Sequence, residues 1–326
     1  MVMGPGPETS GPGKPQVVSV DDCVVLILKP SELEGKMKKF KEDGAGKVQV
    51  VASFDQCLTR FKIKYTNTNV LKSTDVIEQG EHVILPHAAR QIRYLRSEFK
   101  RRMEHEGKDM SPADRVAALE EHLRKVYSVV ALEGGVHLNS VGQAVAQVTD
   151  RIPLRDGVED LAGGLAARGV PLTVYCAGYG NVAMEVLRLG APRLAGPGGA
   201  FTPHLRLVSN FFRADDSMTV MGMYDTVPLI HEANKKYATI SDFLKGARVG
   251  QDNAGRGNVL LLGTELSDLG LAQGHTDIDA RISVGFLRIE ENFLEKLPRY
   301  AQAFDVVVLG DGDMAYVNEM LHELLG

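Results

Sequence analysis

Apolar residues along this chain fall into short unbroken runs separated by longer stretches with helical spacing. The strand-like runs are Val48–Ala52, Leu172–Tyr175, Arg206–Ser209, Asn258–Leu262, Ile282–Leu287 and Asp305–Leu309. Most lack a period of two, as strands covered on both faces should. Between them, Val158–Arg168, Val182–Leu189, Ile240–Leu244 and Ala315–Leu325 read as helices. Strands alternating with helices predict an α/β fold built on a doubly wound parallel sheet.

One interval, about 64–151, breaks this rhythm. It holds two amphipathic helical patterns and few strand signals. The first places Ile92, Leu95, Phe99 and Met103 on one face, and the second Val116, Leu119, Leu123 and Val126. The expected organisation is therefore a core of residues 17–63 and 152–326 with a helical cap of residues 64–151 inserted after the first strand. Residues 1–16 are half Gly and Pro and are expected to form a disordered tail. The first cap helix also carries Arg90, Arg93, Arg96, Lys100, Arg101 and Arg102. That pattern is read first as the solvated face of an amphipathic helix, and second as a patch for phosphates or an acidic partner.

Composition changes this picture little. The chain has 326 residues, 44% of them apolar, and a net charge of −5, which gives no general reason to expect nucleic acid or an anionic membrane as a partner. No apolar stretch approaches the roughly 20 residues that span a bilayer. Cys23, Cys57 and Cys176 form neither a disulfide framework nor a zinc spacing, and the N-terminus has no apolar signal core. Both point to the cytoplasm. The glycine clusters at 194–201 and 252–258 lack the strand–glycine–helix spacing of a dinucleotide site.

Candidate chemistry gathers at four loops. The first strand ends in Ser-Phe-Asp-Gln-Cys at 53–57, and the strand at 172–175 runs into Cys-Ala-Gly-Tyr-Gly-Asn. Residues 230–236 read Ile-His-Glu-Ala-Asn-Lys-Lys, and the strand at 258–262 runs into Gly-Thr-Glu-Leu-Ser-Asp. In this order the loops resemble the four motifs of the haloacid dehalogenase-like phosphohydrolases. More closely, from about residue 24 to 326, the chain resembles the cytosolic 5′-nucleotidase III family of pyrimidine and 7-methylguanosine nucleotidases. The resemblance implies a haloacid dehalogenase-like core with a cap, Mg²⁺ as cofactor, and hydrolysis of nucleoside monophosphates to nucleoside and phosphate.

It also shows where this chain departs. The family's first loop reads Asp-Phe-Asp-x-Thr, with a nucleophilic, Mg²⁺-binding first Asp and an acid/base second Asp. Here those positions are Ser53 and Asp55, and Cys57 replaces the Thr. The hydroxyl residue that opens the family's second motif is Cys176, followed by Ala177 and Gly178; the third-motif Lys is Lys235. Of the fourth motif's two metal-holding aspartates, the first is Thr264 and the second is Asp268. The base-reading run of the second cap helix matches Arg115, Val116, Leu119 and His122, with no Trp anywhere, and Glu104 aligns with an acid that reads the base.

Mg²⁺ wants near-octahedral oxygen ligation with one or two carboxylates, and two carboxylate positions are now neutral hydroxyls. Serine also needs a neighbouring base to attack phosphorus. The expected function is that of a catalytically degenerate family member acting as a binding or structural subunit, with Mg²⁺ binding lost or weak. Two alternatives stay open: an active Mg²⁺-dependent 5′-nucleotidase with reworked motifs, and a metal-free phosphate or nucleotide sensor using Lys235 and the backbone of the second loop. The partners expected are a protein or larger assembly, with a nucleoside monophosphate or phosphate as candidate small ligand. Cys57 and Cys176 are read as core-like replacements rather than a redox or thiolate pair.

Overall fold

A computed structural model describes residues 14–20, 23–80, 82–194, 201–224, 228–236, 255–273 and 278–326. The helix expected over Ile240–Leu244, residues 195–200 of the first glycine cluster, residues 252–254 of the second and residues 1–13 of the expected tail lie outside these.

Strands β1 (Gln16–Val20), β2 (Cys23–Ile27), β3 (Val48–Ser53), β4 (Leu172–Tyr179), β5 (Leu205–Asn210), β8 (Asn258–Gly263), β9 (Ala280–Leu287) and β10 (Val306–Leu309) make one sheet. Among the described residues its order is β1-β2-β10-β9-β8-β3-β4-β5. From β10 to β5 every pairing is parallel, whereas β1 and β2 run antiparallel to their neighbours. β6 (Phe212–Ala214) and β7 (Val220–Met223) form a separate hairpin.

β3 shows why the central runs lack alternation. Val50 and Ala52 belong to the larger apolar core, while Val51 belongs to the smaller core on the opposite face. Helices α1 (Pro30–Asp43), α6 (Val158–Ala167), α7 (Gly180–Gly190) and α9 (Ala315–Leu325) feed the first core; α8 (Phe293–Ala303) covers the second. Leaving β3, the chain goes to β4 and β5 on one side and only later returns to β8 on the other. β3 is thus the switch point, so the loops after β3, β4 and β8 meet at one carboxyl edge.

The interval before β4 folds as α2 (Ser73–Glu78), α3 (Pro86–His105), α4 (Pro112–Leu132) and α5 (Leu138–Gln147). α3 and α4 lie against each other, β7 packs on α4, and α2 and α5 pack against α7. Ser111 caps α4 by accepting the Asp114 N–H at 3.1 Å, and Pro112 fits the first helical position.

Several expectations need correction. Gln16 opens β1, so the tail cannot reach residue 16. The apolar pattern predicts neither β1, β2 nor α1; Gln-Val-Val-Ser-Val is too short to separate from loop, and α1 is dominated by Lys and Glu. β4 does not stop at Tyr175. A register shift between Tyr175 and Tyr179 carries the strand through the Cys-Ala-Gly stretch, and Tyr179 pairs with Asn210.

Candidate active site

Ser53 is the last residue of β3 and is 2% exposed. The chain then turns sharply through Phe54–Leu58, with Gln56 in the left-handed region at φ 65°. Buried Arg155 holds this turn. Its guanidinium donates to the carbonyls of Gln56 (2.9 Å), Cys57 (2.8 Å) and Gly312, and pairs with Asp311 at 3.1 Å. It lies between the rings of Phe61 and Phe286, 4.6 and 4.4 Å from their centroids. Burial pulls Arg155 down to about 10, against the opposing pull of Asp311.

The turn delivers Asp55 to Ser73, the first residue of α2. Asp55 accepts the Ser73 N–H at 2.8 Å and its hydroxyl at 2.7 Å. Burial raises the Asp55 carboxyl above its ordinary range, against the lowering effect of those two bonds. The Ser73 hydroxyl also touches Cys176 Sγ at 3.3 Å. Position 178 must be glycine here, because a Cβ there would lie 2.1 Å from Ser73 Oγ. Asn210 fixes the second loop by donating to the carbonyls of Ala177 and Gly178, each at 3.2 Å.

Lys235 completes the cluster from the loop at 228–236. Its ammonium donates to Ser53 Oγ at 3.0 Å and pairs with Asp268 at 2.7 Å and Glu232 at 2.5 Å. Burial opposes its charge, but Asp268 and Glu232 outweigh burial and hold Lys235 above its ordinary value. A serine beside a lysine can be a nucleophile beside its base. Here the lysine is held protonated, so it donates to Ser53 and cannot take that proton.

Asp268 is 0% exposed. Its second oxygen accepts the N–H groups of Thr264 (2.8 Å) and Glu265 (3.0 Å). Gly263 makes room for this, since a Cβ there would lie 2.5 Å from Asp268 Cβ. Both Asp55 oxygens are hydrogen-bonded, whereas the other Asp268 oxygen is held only by its ion pair with Lys235. Ser53 and Thr264 offer neutral hydroxyls. Among the described residues, no three or more His, Cys, Asp or Glu side chains are placed to hold a metal. The donor set does not fit Mg²⁺, which needs carboxylate oxygens free to face it.

The structure thus joins Ser53, Asp55, Cys176, Gly178, Lys235, Thr264 and Asp268 at one sheet edge. A family model described as pyrimidine 5′-nucleotidase (UMPH-1) matches residues 56–325, beginning just after Asp55. The chain belongs to this family. The 7-methylguanosine phosphate-specific 5′-nucleotidase of Gallus gallus is 26% identical, covering 95% of this chain and 99% of that protein. That of Xenopus laevis (form A) is 27% identical over 91% and 94% of the two chains. In structure, this pyrimidine 5′-nucleotidase family member is similar to cytosolic 5′-nucleotidase IIIB bound to cytidine. The TM-score is 0.77 at 22% identity, covering 92% and 93% of the chains. The fold is the α/β haloacid dehalogenase-like one that the loops led us to expect.

The two cap candidates do not join the cluster. Glu104 is exposed near the end of α3, with Lys100 3.9 Å away. His122 is buried and stacks on Phe99, with ring centroids 4.3 Å apart. Burial first, then Arg96 and Lys125, pull it down to about 4. Arg96 is not a solvated arginine either. It grips buried Glu78 through two bonds of 2.9 and 2.5 Å, and Tyr179 donates to the same carboxylate at 3.0 Å. Cys57 and Cys176 are buried free thiols, each pushed up to about 12 by burial, as core residues are.

His122 gives a pH prediction. Its folded value lies below the ordinary 6.5, so the unfolded chain binds the extra proton between pH 6.5 and about 4, and stability falls as pH falls through that window. His122→Phe keeps the stack and removes the titration. Between pH 6.5 and 5 the wild type should lose about 2 kcal/mol more than the variant in urea unfolding; parallel curves would show that His122 protonates freely.

Proposed function

We propose that this chain is a catalytically degenerate member of the pyrimidine 5′-nucleotidase family, acting as a binding or structural protein. One observation carries the reading. Lys235, the buried cation of the cluster, is compensated by Asp268 and Glu232, while Ser53 beside it and Thr264 beside Asp268 are neutral. Among the described residues no side chain there is both charged and unpaired, ready to take Mg²⁺ or a transferred phosphoryl group. The same pairing counts against the phosphate-sensor reading, since a phosphate on Lys235 would have to displace a carboxylate. Three free buried thiols support a reducing, cytoplasmic setting. Among the described residues no helix is long and apolar enough to cross a membrane.

The expected outcome is that the purified chain with Mg²⁺ releases no phosphate from CMP, UMP or 7-methylguanosine 5′-monophosphate above the protein-free rate. Turnover on the order of 1 s⁻¹, lost in Asp55→Asn, would overturn the reading in favour of an active nucleotidase.

A further inference from the structure

Helix α4 and strand β7 enclose a groove of about 730 Å³. Ala131, Met223 and Leu229 are its half-buried apolar lining. Its rim is apolar yet open to water: Leu132 is 74% exposed, Tyr224 53% and Met221 49%. Leu85, whose N–H donates to the Gly134 carbonyl just past Leu132, extends the strip and is 48% exposed. Soluble proteins seldom leave neighbouring large apolar side chains uncovered, and those that do usually bind something there. Exposed methionines suit such a surface, because their flexible thioethers adapt to a partner.

Charge and geometry say what covers it. Arg124 is the only charged side chain among the described lining residues, and it has no ion pair among the described residues. Its neighbour Lys125, by contrast, pairs with Glu121 at 2.7 Å. Arg124, Ser128 and Ala131 stand at i, i+4 and i+7 on α4 and form one ridge about two turns long. A ridge of that repeat is what a second helix packs against, with its own anchors at i, i+3 or i+4, and i+7. A small ligand would be a poor match, because such sites enclose most of their occupant and this rim stands out in water.

We propose that the groove between α4 and β7 docks an amphipathic helix of a protein partner whose apolar stripe carries an acidic residue facing Arg124. The proposal rests on the binding-protein reading; Asn210, which fixes the second loop, also lines the groove, but none of the residues varied below belongs to the cluster around Ser53. Phosphate release tests that reading, and the experiment below tests the groove.

A display library of random 16-residue peptides is selected against the full chain, and the enriched peptides are measured by fluorescence anisotropy. They should carry Leu, Met or Phe at i, i+3 or i+4, and i+7, together with Asp or Glu. Leu132→Glu and Met221→Glu should each weaken them tenfold or more, and Arg124→Glu should weaken acidic winners selectively. All three positions are exposed, so thermal unfolding of the variants should match the wild type. No enrichment, winners without acidic helical spacing, or winners that bind the variants equally well would overturn the proposal. So would concentration-dependent self-association of the wild type that Leu132→Glu abolishes, which would make the occupant a second copy of this chain.

Discussion

Arg155→Leu is expected to destabilise the folded chain more than any of the other single substitutions. The guanidinium is fully buried, and its loss strands the carbonyls of Gln56, Cys57 and Gly312 and leaves Asp311 without its buried partner. Removing one member of a buried charged pair costs about 3–5 kcal/mol, against a total stability of roughly 5–15 kcal/mol for a folded domain. Leucine would keep some contact with Phe61 and Phe286, so the loss is chiefly polar. We expect a fall in melting temperature of about 10 °C, with Arg155→Lys intermediate, because it keeps the charge and loses the planar fork. A melting temperature within a degree of wild type would mean that the turn at 54–58 holds its shape without Arg155.

The second large effect is a gain. Ser53→Asp with Thr264→Asp should create a Mg²⁺ site where the wild type binds none measurably. Ser53→Asp alone should fail, since Lys235 lies 3.0 Å from the Ser53 hydroxyl and would pair with the new carboxylate. A second carboxylate at Thr264, whose hydroxyl is 3.5 Å from Asp268, gives the edge more negative charge than one lysine can compensate. Like charges then crowd a buried site, a burden that a divalent cation relieves. Mg²⁺ should therefore raise the melting temperature of the double variant and not that of the wild type, with about 2.7 kcal/mol of stabilisation at a hundredfold excess over Kd. Any hydrolysis regained should be weak, because Cys176 still replaces a hydroxyl in the second loop. A well-folded double variant without calorimetric Mg²⁺ binding would show that positions 53 and 264 do not converge on one metal.

The central sheet was legible because β3, β8 and β9 are buried on both faces and their apolar runs show it. The site loops were legible because their residues keep the family's order even where the chemistry is lost. Partnerships made across the fold were not legible. Ser73 lies 18 residues from Asp55, and nothing around Lys-Ser-Thr-Asp announces that it will seat an acid from another loop. Arg155 sits in Ile-Pro-Leu-Arg-Asp, where any arginine reads as surface. Arg96 turns inward although its helix pattern predicts a solvated face, because helical spacing tells which face a residue occupies and not what is brought against it. Glu78, which turns Arg96 inward, arrives from a separate helix.

The sheet edge formed by β1 and β2 bears on how the molecule is made. Val25 pairs with Val308 and Leu26 with Val307, so a strand near residue 25 has its place beside one made far later along the chain. Until β10 exists, β1 and β2 have no sheet to join, and two strands alone are marginal in water. The edge therefore closes only after β10 has left the ribosome. A chain cut short before residue 306 would carry β9 with a bare flank and β1 and β2 unhoused, a ready template for pairing with other chains.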